Sequence, residues 1–441
     1  VRCSCTSSIA DRASRVDRAV RVACLALALA ITLAALTARE AHAAPAEVSP
    51  ARSPARAHDS VRVLLPDGDN LQYLSFWVAK GAGYFGDEGM DLEILTPSSP
   101  PGTMAMVQTG AYDVFVLPPP VYLTLMEQRY PLLLVANLLQ NDPINVIVRR
   151  SVMEARKLSA SAPLVERLKG MHGLKVGVAP GPPTRLRALF ASQGLDADRE
   201  IEIVIVHGRD QNAAFAAGTV DALYCHTPYL ETALVDQDAV MLVHQSGGEV
   251  KELAARQIHA LVVSQALAKS NPERVFAMTR AIYRAERTVH DDRAASVRAV
   301  LHEFPSMDPR KVETIVRLYE PAVPATPRVS VQGIDPALVL FPASRAAPDL
   351  HKIDVHDYVA PAFADRAVED AENAKREGER RVANVTESAP SSLARSRTTI
   401  AVSVAALVAA LVAFAIARAR VKARQTRDER ANGRTGKRTD K

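Results

Sequence analysis

Between Val61 and Ser264, short apolar and β-branched runs alternate with longer segments of helical periodicity. This alternation narrows the fold more than any other property of the chain, because it calls for α/β units built on mostly parallel sheets. VRVLLP from Val61, DLEILT from Asp91, DVFVLP from Asp113, LLLVANL from Leu132 and INVIVRR from Ile144 read as strands. Helices are expected at Leu71–Phe85, around Met104, and over Val121, Leu125 and Met126. A charged helical stretch, Met153–Leu168, separates this set from a second one. There KVGVA from Lys175, EIEIVIV from Glu200, DALYC, VMLVH and HALVVS from His259 are the strands. Long helices follow from Pro272 to His302 and from Asp308 to Tyr319. The reading is two α/β lobes, the first completed by the helices after residue 265. The chain then crosses between lobes twice, near Asn145–Arg149 and near His259–Ser264. Lobe 1 is placed at 61–148 and 263–364, and lobe 2 at 149–262.

The two ends differ from this body. Arg12, Arg15, Arg18 and Arg21 precede an apolar run, Val22–Leu36, and a small-x-small site, Ala41-His42-Ala43. That order reads as a signal peptide over 1–43. Residues 44–60 are rich in Pro, Ala and Ser and read as a disordered linker. Thr398–Ala417 is a stretch of twenty uncharged residues, about 30 Å as a helix, the length of a membrane span. Arg418, Arg420, Lys422 and Arg424 follow it and place the 418–441 tail in the cytoplasm. Residues 365–396 form a stalk: Asp365–Arg381 reads as a solvated helix with Glu372/Arg376 and Glu377/Arg381 pairs, followed by linker. The ends carry the positive charge, +7 in 418–441 and +3 in 1–43, and the rest of the chain is −5 although the total is +5. The main body therefore has no electrostatic case for nucleic-acid binding.

Beyond the N-terminal segment only Cys225 remains, so no internal disulfide and no zinc-type Cys/His spacing is expected. Nucleophile-elbow, phosphate-loop and H-E-x-x-H signatures do not occur. Neither a cofactor nor a catalytic constellation is expected.

The segment FWVAKGAGYFGDEGMDLEI, Phe76–Ile94, resembles the opening of nitrate/sulfonate/taurine-type and thiamine-pyrimidine-type solute-binding proteins of ABC importers. TGAYDVFVL, LKGMHGLKVGVAPG and the Asn271-Pro272-Glu273 helix start extend the resemblance over Val61–Asp357. It implies a type 2 periplasmic-binding fold, two α/β lobes with two crossovers, here with a C-terminal transmembrane helix. It also implies one small solute held between the lobes and delivered to ABC permease and ATPase subunits. A ligand sensor acting on a membrane partner, or a pyrimidine-synthase-like enzyme on the same fold, are the alternatives.

By position in that family, Asp67, Asn70, Tyr73 and Trp77 face the cleft, Trp77 either stacking on a flat solute or filling the core. Pro118, Pro119 and Pro120 stand where relatives carry hydroxyl residues at a helix start, and Gly181-Pro182-Pro183 repeats the change in lobe 2. Proline offers no N–H, so these starts lose the donors that hold an oxyanion. Thr184 and Arg185 leave one polar, cationic handle, and a larger, partly aromatic solute with one acidic or polar group fits better than nitrate. His226 and Tyr229 are ligand contacts or structural residues. Asn141 with Asp142 is a polar contact or a turn, and His207 and Arg209 stand equally open.

Overall fold

The computed structural model describes residues 58–97, 100–334 and 354–388. The expected signal peptide, most of the 44–60 linker, the 398–417 span and the basic tail lie outside the described residues. No described helix is long and apolar enough to cross a membrane.

Chain order is β1 (Asp59–Leu64), α1 (Leu74–Gly81), α2 (Tyr84–Asp87), β2 (Met90–Leu95), α3 (Pro100–Gln108), β3 (Val114–Leu117), α4 (Pro119–Glu127) and β4 (Leu132–Asn137). Then come β5 (Asn145–Arg149), α5 (Arg150–Ala155), α6 (Leu164–Lys169), β6 (Lys175–Val178), α7 (Pro183–Ala191), α8 (Ala197–Glu200) and β7 (Glu202–Ile205). They are followed by α9 (Gly208–Ala216), β8 (Ala222–Cys225), α10 (Leu230–Asp236), β9 (Ala239–Val243) and β10 (Ala260–Ser264). The chain continues with α11 (Gln265–Ser270), α12 (Pro272–Asp291), α13 (Arg293–Glu303), α14 (Pro309–Tyr319) and α15 (Pro361–Ser388).

Two five-stranded sheets result, ordered β2-β1-β3-β10-β4 and β7-β6-β8-β5-β9. In each, the early strands pair in parallel, as β1 does with β2 and β3, and β6 with β7 and β8. In each, one strand arriving from the other lobe runs antiparallel: β10 between β3 and β4, and β5 between β8 and β9. The central strands are fully covered, β3 and β8 without one exposed residue, which is why their sequences are apolar runs rather than alternations.

The crossing points sit earlier than the sequence suggested. All of β5 already belongs to the second sheet, so the first crossing is residues 138–144, not Asn145–Arg149. The second is residues 244–259, not His259–Ser264. An apolar run marks a strand but carries no mark of which sheet it joins. The two crossovers run side by side: Leu138 N donates to His259 O (2.8 Å) and Ile258 N to Leu139 O (3.0 Å).

Three helices also depart from expectation. The Leu71–Phe85 helix breaks at Gly83, whose φ of +78° suits a residue without Cβ. The 153–168 stretch is two short helices, α5 and α6. The 272–302 helix breaks at Asp292, whose side chain caps α13 by accepting from Ala295 N (2.9 Å). Gly81 lets α1 cross α13 in backbone contact: a Cβ there would stand 2.0 Å from Ala299 O.

The stalk helix is not solvated all round. It starts at Pro361, and Ala364, Ala367 and Val368 are buried. Phe363 meets Phe276 of α12 edge-on, and the Arg366 guanidinium lies 3.7 Å over the same ring. The expected Glu372/Arg376 pair is present at 3.4 Å.

Candidate functional site

In both sheets the parallel strands point their C-terminal ends toward the crossovers, the usual place for a ligand crevice in open α/β sheets. Lobe 1 contributes the loops after β1 and β3. Lobe 2 contributes those after β6 and β8.

After β1, Asp67 and Asp69 are exposed, Asp67 with a left-handed φ of +54°. Although Asp67 is exposed at its surface, the protein packed around its carboxyl partly desolvates it, and this and then the charge of Asp69 raise it above its ordinary range. Asn70 is buried. Its Oδ1 accepts from Gln72 N (2.9 Å) and its carbonyl accepts from Trp77 Nε1 (3.2 Å). Trp77 is a core residue, edge-on to Phe76 and to Phe304, the C-cap of α13, with ring centroids 5.5 Å and 4.9 Å away. The only tryptophan is therefore removed from the candidate ligand set, because its polar handle is satisfied inside lobe 1. Tyr73 is also buried and packs on His259 of the second crossover, ring centroids 4.7 Å apart. Burial, then Asp67, pushes the Tyr73 phenol above its usual range.

The prolines stand at the starts of two helices. Pro118 is the N-cap of α4 and Pro119 and Pro120 open it, while Val121 N and Tyr122 N turn back to Pro118 O (3.0 and 3.2 Å). In α7, Pro182 and Pro183 open the helix, and Arg185 N and Leu186 N return to Pro182 O (2.9 and 3.1 Å). Thr184 is exposed on this first turn.

Arg185 is not an open handle. Its Nε donates to Asp142 Oδ2 (2.9 Å) and its Nη2 donates to Asp142 Oδ1, a bidentate pair whose side chains are 12% and 1% exposed. Asp142 Oδ1 also accepts from Ile144 N (2.9 Å). Asn141, with φ of +67°, stitches the crossovers together: Nδ2 donates to Ser246 O (3.3 Å) and Oδ1 accepts from Ala255 N (2.8 Å). It is thus a turn residue with a structural task.

After β8, His226 Nδ1 bonds the Thr227 carbonyl, which can only accept, so Nδ1 carries the proton. Burial and then the neighbouring Arg185 lower the His226 pKa to about 4, the Thr227 bond opposing them in part. The neutral ring then offers Nε2 as an acceptor. Tyr229 stands 6.0 Å from the His226 ring, and burial first, then the charges of Asp69 and Asp67 in lobe 1, raise its phenol above the ordinary range. A Cβ on Gly208 would lie 2.7 Å from the Tyr229 ring, so only glycine leaves this ring its place. His207 and Arg209, at the start of α9, are exposed.

Sequence reasoning missed His259. It is 4% exposed, its Nε2 donates to Gln72 Oε1 (3.0 Å), and its Nδ1 is buried without a partner among the described residues. Burial, then Arg185 and His226, lowers its pKa to about 3. It lies at the end of a crossover, where no motif marks it. Tyr319 was also missed. Its hydroxyl donates to Pro143 O (2.8 Å) and accepts from Thr227 N (3.2 Å), joining α14, the first crossover and the β8 loop.

Residues 68–301 match the profile of the NMT1-like family. The chain belongs to the NMT1-like family. YtlA of Bacillus subtilis (strain 168), whose name describes a binding protein, is 23% identical over 258 residues, 57% of this chain and 73% of that protein. A solved structure from Bordetella bronchiseptica RB50 has a TM-score of 0.55 and 21% identity, covering 72% of this chain and 98% of that one. The periplasmic aliphatic sulphonate-binding protein SsuA of Escherichia coli gives 0.51 and 15%, covering 68% and 97%. At these identities the structural likenesses establish the fold: two α/β lobes of the periplasmic-binding type.

Proposed function

We propose that this chain is the extracytoplasmic solute-binding component of an ABC importer, tethered by the 398–417 segment and capturing a small aromatic or heterocyclic organic solute between its lobes. The carrying observation is the convergence of Arg185, Asp142, His226, His259 and Tyr73 on a paired crossover between two sheets of the same topology. Family membership and the periplasmic-binding fold support it. Asp67, Asp69 and Tyr229 form the facing walls, and Pro118, Pro119 and Thr184 lie on the two helix starts that border the cleft. The basic tail faces the cytoplasm, and permease and ATPase subunits are the partners. A tether keeps the binder at high effective concentration near its permease.

Mass spectrometry of small molecules released from the full-length protein, purified from its own membrane, tests the reading. A stoichiometric ring-containing solute is the expected result. A protein that carries no solute, and gives no calorimetric response to a panel of heterocycles, would sink it. Protease access from the outside to the body but not to a C-terminal tag tests the orientation.

A further inference from the structure

Arg185 occupies a position where an anion would be expected to bind. It lies on the first turn of a nine-residue helix, beyond the C-terminal end of β6, and presents the fork that suits a carboxylate, sulfonate or nitrate. That fork is already filled from within the chain. Resting on the solute-binding reading above, we propose that Asp142 is a built-in counter-anion for Arg185 that sets the cleft against oxyanionic solutes, so that its ligands are neutral or cationic organic molecules.

Four observations support this. Asp142 engages two guanidinium nitrogens and a backbone N–H at once, from a side chain 1% exposed. An incoming oxyanion must expel a carboxylate that is held at the site by the chain itself and therefore never dilutes. The expelled carboxylate would also be left buried and unpaired, which is costly. Second, the two helix starts bordering the cleft offer an anion few donors in place of the guanidinium. Pro119, Pro120 and Pro183 have no N–H, Val121 N and Tyr122 N turn back to Pro118 O, and Arg185 N and Leu186 N turn back to Pro182 O, which leaves Thr184 as the polar residue of these first turns. Third, two ring nitrogens at the crossover are acceptors: His226 Nε2, by the tautomer its Thr227 bond dictates, and, by its bond to Gln72, His259 Nδ1, which has no partner among the described residues. Fourth, the exposed carboxylates of Asp67 and Asp69 after β1 outnumber the one cation, Arg209, that acts with them on Tyr229. A surface on which acceptors and carboxylates outnumber the donors of Thr184 and Arg209, with aromatic rings at Tyr73 and Tyr229, matches a solute that donates hydrogen bonds or carries positive charge.

The test uses the full-length protein with Asp142→Ala and Asp142→Asn, checked for folding by circular dichroism and size exclusion. Calorimetry with sodium nitrate and sodium methanesulfonate should show wild type essentially blind to both. Asp142→Ala should gain at least about tenfold in affinity, and the isosteric Asp142→Asn less. On wild type, benzamidine or benzamide should bind in preference to benzenesulfonate. The inference is overturned if wild type binds methanesulfonate or benzenesulfonate as well as it binds the neutral or cationic probes. It is equally overturned if neither variant, folded, gains anion affinity. A wild type blind to every probe strikes the solute-binding reading instead, and anion gain in the variants still decides the role of Asp142.

Discussion

The two lobes share one topology and secure it to the crossovers in different ways. Each sheet places its second, first and third strands in parallel and then accepts one antiparallel strand from the other lobe. Lobe 2 is tied to the first crossover by a buried charge pair, Arg185–Asp142. Lobe 1 is tied to the second by a neutral bond, His259 Nε2 to Gln72 Oε1, beneath the Tyr73 ring. A charged tie is expensive to break because the partner left behind stays charged and buried, whereas a neutral tie loses about one ordinary hydrogen bond. The lobes also differ in their buried acids. Glu231 of lobe 2 accepts from Thr227 Oγ1 (3.4 Å), while neither carboxyl oxygen of Glu286 in lobe 1 has a partner among the described side chains and backbone.

The comparison fails first if the charged tie is cheap. Arg185→Ala should cost about 3–5 kcal/mol in denaturant unfolding, since it strands Asp142. A loss under about 1 kcal/mol would put the two ties on a par. Next comes Glu231→Gln. Burial raises the Glu231 pKa to about 7, against roughly 4.3 when unfolded. Between those values the folded state keeps a proton the unfolded chain has lost, so stability falls as pH rises and levels off above 7. The variant should remove that slope, gaining up to about 4 kcal/mol at pH 8 and almost nothing at pH 4. Glu286→Gln sharpens the contrast between the lobes. Burial pushes Glu286 well above the carboxylate range, so the decline it causes should continue past the pH where that of Glu231 has ended.

Smaller effects test lobe 1. Gly81→Ala should cost about 1–3 kcal/mol, because its methyl group would meet the Ala299 carbonyl and the neighbour is backbone, unable to rotate away. Gln72→Leu, which removes the acceptor of His259 Nε2 and strands a buried N–H, should cost about 1–3 kcal/mol. If it costs as much as Arg185→Ala in the same unfolding assay, the neutral tie is stronger than its chemistry allows.

Much of the fold was legible in the sequence because buried parallel strands write themselves as apolar runs. VFVL and ALYC are legible for this reason, and Asn271-Pro272 announced the start of α12 through cap and fixed φ. The proline starts of α4 and α7 were likewise readable, since a missing N–H is a covalent fact. The candidate site was less legible. Trp77 read equally as a cleft or a core aromatic until Phe304, 227 residues away along the chain, was seen packed on it. Arg185 looked like a free cation for the same reason: nothing local reveals that Asp142 lies across from it.

The sequence by itself determined the alternation, the helix caps, the loss of amide donors at two helix starts and the concentration of positive charge at the chain ends. Only the tertiary structure decided which sheet β5 and β10 join, that Trp77 belongs to a core, that His259 stands at the crossover with a nitrogen unpartnered among the described residues, and that Arg185 is spoken for. The division has a physical cause. Periodicity, capping and covalent chemistry act over a few residues, while burial and charge pairing depend on neighbours that the chain supplies from far away and that only folding brings within bonding distance.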